Sequence, residues 1–203
     1  MEKIETEQEL RAVIGEEIPG LSEKVEARLN DFAVDFIARA PFLVLSTADG
    51  AGRLDASPKG DAPGFVAVED DRTLLIPDRL GNRLAYGHRN ILVNPHVGVL
   101  FMIPGTSETL RVNGRATLTA DGSLVEQLAA RGRPAVLVIR VDVEEVFFHC
   151  AKAFLRSRLW QPDAWGEPHK VSFGKMYARR KNAPAETAAA VDQAIERDYH
   201  DNL

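Results

Sequence analysis

The sequence predicts a mainly β domain with peripheral helices, organised as an antiparallel sheet closed or partly closed into a barrel. Three observations carry that reading. At least six apolar or alternating runs of strand length recur between Phe42 and Val143. Most are joined by short polar turns rather than by the long crossovers that parallel strands require. The helical patterns are few and flank the strands, which leaves the sheet at the centre.

Residues 1–40 read as an N-terminal arm and helix, residues 41–160 as the barrel core, and residues 161–203 as a C-terminal loop and helix packed on the same domain. The arm predicts a short helix over Gln8 to Ile14. From Ser22, a residue type that caps helices, Val25, Leu29, Phe32 and Phe36 recur at spacings of four, three and four. That pattern predicts one apolar-faced helix ending at Ala40, before Pro41. Phe42 to Thr47 then predicts a strand, Ala48-Asp49-Gly50-Ala51-Gly52 a tight turn, and Arg53 to Lys59 the second strand of a hairpin. Strand parity places Arg53, Asp55, Ser57 and Lys59 on one face and Leu54, Ala56 and Pro58 on the other. The polar face is therefore either solvated or part of a site.

Phe65 to Val68 and Thr73 to Ile76 predict two more strands about the turn Glu69-Asp70-Asp71-Arg72, continuing a β-meander. Pro77, Asp78 and Gly81 read as turn residues that stop the fourth strand, and Asn82 as the cap of a helix running to Leu92. After Asn94-Pro95, His96 to Ile103 reads as a long central strand, turned by Pro104-Gly105. Thr109 to Thr119 alternates again, with Arg111, Asn113 and Arg115 on one parity. A helix over Gly122 to Ala130 and a strand over Ala135 to Val143 follow. A further segment from Val146 starts as a strand and becomes a helix towards Trp160. Pro162 to His169 is loop, Val171 to Tyr177 is expected to return to the body, and Ala185 to Glu196 forms a last helix.

Composition narrows the function. With 203 residues, 45% hydrophobic and 27% charged, the chain suits a globular domain, and at that size about 70% of the unfolded surface is buried without disulfides or a structural metal. The net charge of −5 and the scattered basic residues argue against a nucleic-acid partner. Cys150 is the single cysteine, which excludes an intrachain disulfide and a cysteine-rich metal site. Met1 to Leu10 is highly charged and no apolar run is long enough to span a bilayer, so a cytoplasmic protein without membrane contact is expected. There is no P-loop, G-x-G-x-x-G, H-E-x-x-H or G-x-S-x-G motif, which argues against ATPases and hydrolases. The five histidines are dispersed and read as ordinary surface or hydrogen-bonded residues.

One stretch points to chemistry. Leu74 to Ile76 is apolar, then a polar turn carries Arg79 and Arg83 into a helix that Asn82 can cap. Free N–H groups at a helix start and two guanidinium groups suit a phosphate. The other reading is a strand-to-helix turn whose arginines face water.

The order of these pieces resembles the pyridoxamine 5'-phosphate oxidase-like flavoproteins, which have an FMN-binding split β-barrel fold. The resemblance runs from Phe42 to Val143 and rests on Arg53 to Lys59, then Ile76-Pro77-Asp78, Leu80-Gly81-Asn82-Arg83, Asn94-Pro95-His96-Val97-Gly98 and Thr109 to Ala116. Ser57-Pro58-Lys59-Gly60-Asp61 together with Phe147-Phe148-His149-Cys150-Ala151-Lys152 is similar to a subgroup associated with FMN. The resemblance implies that Asn82 and Arg83, with Arg79 and with help from Arg53 or Lys59, hold the FMN phosphate. Ile76, Pro77 and Asp78 would lie along the ribityl chain and ring edge, Ser57 beside them, and Lys59 near the flavin pyrimidine ring. Glu108 and Arg111 would reach a site completed by a second subunit. It further implies a homodimer that passes electrons between a reduced donor and a small-molecule acceptor. The alternatives are a flavin or haem carrier or sensor, with His149 as axial-ligand candidate, and a purely structural role. Two departures speak against oxidation of pyridoxamine phosphate itself: Leu84 stands where those oxidases carry a lysine, and the C-terminus lacks their tryptophan and arginine pattern.

Overall fold

The computed structural model describes residues 3–202. Seven strands form one antiparallel sheet: β1 (Phe42–Ala48), β2 (Leu54–Gly60), β3 (Ala67–Asp70), β4 (Thr73–Asp78), β5 (His96–Met102), β6 (Thr109–Thr119) and β7 (Leu137–His149). Their order is β2-β1-β5-β6-β7-β4-β3. The sheet curls so that alternate residues face one interior, where Leu43, Phe101, Leu110, Val112 and Ile139 are fully buried. Burying each such side chain contributes about 1.5–3 kcal/mol. A smaller cluster of Leu75, Ala135 and Val138 lies on the other face, under Leu124, Val125 and Leu128. This is the expected antiparallel split barrel with flanking helices.

The helices are α1 (Glu7–Ile14), α2 (Asp31–Arg39), α3 (Tyr86–Val93), α4 (Gly122–Gln127), α5 (Lys152–Ser157), α6 (Phe173–Lys181) and α7 (Ala185–Asp201). Helix α1 forms as predicted, closed by a capping box between Thr6 and Glu9. Among the described residues no helix is long and apolar enough to cross a membrane.

Several boundaries differ from the sequence reading, each for a physical reason. The predicted helix from Ser22 begins only at Asp31, where Asn30 Oδ1 accepts the Ala33 N–H at 2.9 Å. Before it, Leu21–Lys24 is a 3₁₀ turn, and Glu26 pairs its backbone with Val146 of β7 in both directions. That part of β7 extends past Thr73, the first residue of β4, and its open backbone groups take Glu26 from the helix. The two hairpins form, but they do not continue into one meander: β2 and β3 are the two opposite edges of the sheet.

Strand β4 does not stop before Pro77; it pairs with β7 through Asp78. Proline is tolerated there because β3 has already ended its pairing at Leu75. Helix α3 starts at Tyr86 rather than at Asn82, whose Oδ1 instead accepts the Leu84 N–H at 2.9 Å in a local turn. Strand β7 runs unbroken to His149, with its register against β6 shifting between Asn113 and Gly114. Gly114 is required at that bulge, because a Cβ there would lie 2.1 Å from the Asp142 carbonyl oxygen. Val171 to Tyr177 leads into α6, capped by Ser172 and packed on α7 where Gly174 meets Ala188.

Candidate cofactor cleft

Edge strand β2 builds one wall of the site and does so with unusual polarity. Asp55, Ser57 and Lys59 are half-buried, while Leu54, Ala56 and Pro58 face outward, Leu54 at 84% exposure. A strand that turns its polar face inward and its apolar face to the surface is serving something other than the core. The inward face opens on a cleft of about 870 Å³, closed on the far side by Pro77, Asp78, the 79–85 turn and the start of α3.

Asp78 is the electrostatic centre of the cleft. Lys59 Nζ lies 2.6 Å from its Oδ1, and His88 Nε2 lies 3.4 Å from its Oδ2. Burial pushes the Asp78 carboxyl up, but His88 and Lys59 together outweigh it and hold the group below the usual carboxylate range. Among the described residues the buried His88 Nε2 has this long contact to Asp78 and no well-formed hydrogen bond. An unpaired buried polar atom costs about 1–3 kcal/mol, which a polar ligand atom would recover.

The remaining predicted residues divide. Arg83 lines the cleft, is exposed, and holds a left-handed backbone with φ 58°, as does Ala85 with φ 54°. Two such non-glycine residues beside one cleft are typical of a site rather than of a passive turn. Arg79 also lines the cleft, but its Nε donates to Asp61 at 2.9 Å and its Nη1 to the Leu128 carbonyl at 2.8 Å. Arg53 is not part of the wall; it pairs with Asp49 in the β1–β2 turn at 2.7 Å. Ile76 is fully buried in the barrel interior behind the wall. Glu108 and Arg111 lie outside the cleft lining of this subunit, Glu108 exposed before β6 and Arg111 on that strand.

The helix start expected at Asn82 lies instead at Tyr86. Asp55 Oδ2 sits 3.2 Å from where a Cβ on Gly87 would project, so a carboxylate already faces the first turn of α3. Among the described residues Arg83 is the cleft-lining arginine without an ion pair, whereas Lys59, like Arg79, is held by a carboxylate. His88 and Asp55 are the residues that sequence reasoning missed. Strand parity grouped Asp55 with Lys59, but nothing local marked His88, which enters only because α3 packs against the end of β4.

A family described as pyridoxamine 5'-phosphate oxidase matches residues 29–150, more than half of the chain. The chain belongs to the pyridoxamine 5'-phosphate oxidase family. Family membership covers β1 to β7 and therefore the whole cleft, while α6 and α7 lie outside the match. No curated protein matches the chain. Among solved structures it is similar to HupZ of Group A Streptococcus, at 18% identity and a TM-score of 0.49, over 59% of this chain and 93% of that one. It is also similar to an FMN-binding protein of Syntrophomonas wolfei, at 9% identity and a TM-score of 0.44, over 58% and 88%. HutZ, a haem storage protein of Vibrio cholerae, matches at 17% identity and a TM-score of 0.40, over 59% and 94%.

The cleft of this family member suits FMN on its own chemistry. Its volume is in the range of cofactor sites, about 300–1,000 Å³. It offers the Arg83 guanidinium and the Asp78-paired Lys59 ammonium for a phosphate or anionic ring, and Ser57 and His88 for hydrogen bonds.

Proposed function

We propose that this protein is an FMN-binding oxidoreductase that works as a homodimer, passing electrons between a reduced donor and a small-molecule acceptor. The observation that carries the reading is the inverted polarity of β2, which commits Ser57 and Lys59 to a cleft that the family match spans. Arg83 is the phosphate ligand in this reading, supported by its free guanidinium at the cleft wall. Lys59, oriented by Asp78, is the cation that favours a negatively charged reduced ring. FMN, when bound, supplies the electron or hydride transfer itself. Ser57 and His88 are the groups that orient the ring edge by hydrogen bonds.

The dimer is supported by the outer face of the same strand. Pro58 and Leu100 flank Val44 in the ladder, so Leu54, Ala56 and Pro58 are continuous with the outward residues of β1 and β5. An exposed apolar sheet face of this kind needs cover. Oxidation of pyridoxamine phosphate is not part of the proposal. Arg158, one of two arginines in the segment that could replace the missing C-terminal pattern, spends its Nε on Gln161 at 2.8 Å.

The test is the visible spectrum of the purified protein after incubation with FMN and gel filtration. A two-band flavin spectrum at about one flavin per subunit is expected. A Soret band in the protein as isolated, or no retained chromophore, would overturn the reading.

A further inference from the structure

On the outer face of the sheet, Arg111 and Phe147 are paired neighbours in the β6–β7 ladder, and Thr109 and His149 are the next pair on the same face. The Arg111 guanidinium carbon stands 4.0 Å from the centroid of the Phe147 ring. Lys24 Nζ stands 4.9 Å from the same centroid, brought there because the Glu26–Val146 bridge pins the preceding 3₁₀ turn beside β7. The His149 ring packs on Phe147 at 4.9 Å. Three nitrogen-bearing side chains thus surround one aromatic ring.

Among the described residues no carboxylate lies within ion-pair distance of them. Among the described residues neither Arg111 nor Lys24 takes part in an ion pair. Glu145, two residues before Phe147 on the same face, accepts a hydrogen bond from Asn113 Nδ2 at 2.9 Å rather than pairing with a cation. Arg111 Nε is buried and, among the described residues, has no hydrogen-bond acceptor. A single cation over an aromatic ring is ordinary packing. Two cations sharing one ring, with a desolvated guanidinium N–H left without an acceptor, are a deficit that an anion removes. The His149 imidazole feels the same field: burial first, then Arg111 and Lys24, push its pKa down.

We propose that Lys24, Arg111 and His149 form an anion-binding subsite around the Phe147 ring, which receives one carboxylate or phosphate group of a small molecule. The subsite is separate from the β2 cleft and does not depend on the flavin reading. Arg111 supplies the charge-assisted donor, Lys24 a second charge, and His149 a hydrogen bond from its ring.

The experiment is a titration of the full-length protein with sodium phosphate, and in parallel with sodium acetate, at constant ionic strength set with chloride. The readout is the imidazole NMR resonance of His149, assigned by its loss in His149→Gln. A saturable shift with phosphate or acetate is expected, and whichever saturates at lower concentration names the source. Arg111→Gln should weaken binding by about tenfold or more, and Lys24→Gln, on an exposed turn that tolerates change, by several-fold, roughly one charge-assisted contact each. A linear, non-saturating drift identical in Arg111→Gln would overturn the proposal. So would the same shift with chloride, which would mean an adventitious ion only. Binding confined to a monomeric Leu54→Glu variant would also overturn it, by showing that a second copy of the chain covers the site.

Discussion

Lys59 Nζ and Asp78 Oδ1 lie 2.6 Å apart, with side chains 16% and 14% exposed, and so tie edge strand β2 to the end of β4 where the sheet does not close by backbone pairing. The pair holds the two walls of the cleft together. It also fixes Lys59 at the cleft wall.

Breaking this pair one-sidedly should be costly. Asp78→Ala leaves Lys59 charged and nearly buried, and a loss of about 3 kcal/mol in urea unfolding is expected, largely recovered by the double variant Lys59→Met/Asp78→Leu. The pH dependence has a defined sign. The folded-state pKa of Asp78 is depressed, so its contribution is complete above the unfolded value of about 3.9 and is lost as pH falls through the folded value. Unfolding free energies measured from pH 5 downward should therefore decline less steeply in Asp78→Asn than in the wild type.

Arg83 separates a phosphate contact from a general cleft effect. Its truncation to Ala should weaken FMN by roughly 10- to 100-fold, the worth of a charge-assisted hydrogen bond, and leave riboflavin nearly unchanged. Fluorescence titration of both flavins measures this. Equal losses would move the phosphate elsewhere in the cleft.

Leu54 tests the outer face. At 84% exposure it has nothing to lose in the monomer, so Leu54→Glu should leave the folded subunit intact while opposing association. Light scattering at micromolar concentration should give a dimer mass for the wild type and a monomer mass for the variant. A monomeric wild type would remove the dimer from the proposed function.

Gly114 marks where the barrel has no room. A Cβ placed 2.1 Å from the Asp142 carbonyl oxygen cannot be accommodated without opening the β6–β7 ladder. Gly114→Ala should destabilise the barrel by about 3 kcal/mol or more, read as a lowered midpoint of thermal unfolding. Gly50→Ala, in the open β1–β2 turn with nothing within 4 Å, is the matched control and should shift it little.

By itself the sequence determined everything that follows from local stereochemistry. The period-two alternation of Arg53 to Lys59 and of Thr109 to Thr119, the glycine-rich and acidic hairpin turns, and the short N-terminal helix over Gln8 to Ile14 each act within a few residues, and each stands as read. Parity grouped Asp55, Ser57 and Lys59, but only the tertiary structure turned that group inward. Its reason is the strand order, which puts β2 at a sheet edge where its inner face meets the end of β4 and the start of α3. The same holds where two local signals competed: Ser22 and Asn30 are both capping residues, and the distant edge of β7 decided between them by taking the Glu26 backbone. Likewise Arg79 and Arg83 look equivalent in the turn, yet Asp61 and the Leu128 carbonyl, 18 and 49 residues from Arg79, claim one and leave the other facing the cleft. Partners so far apart in the chain leave no local pattern, so their choice belongs to the fold.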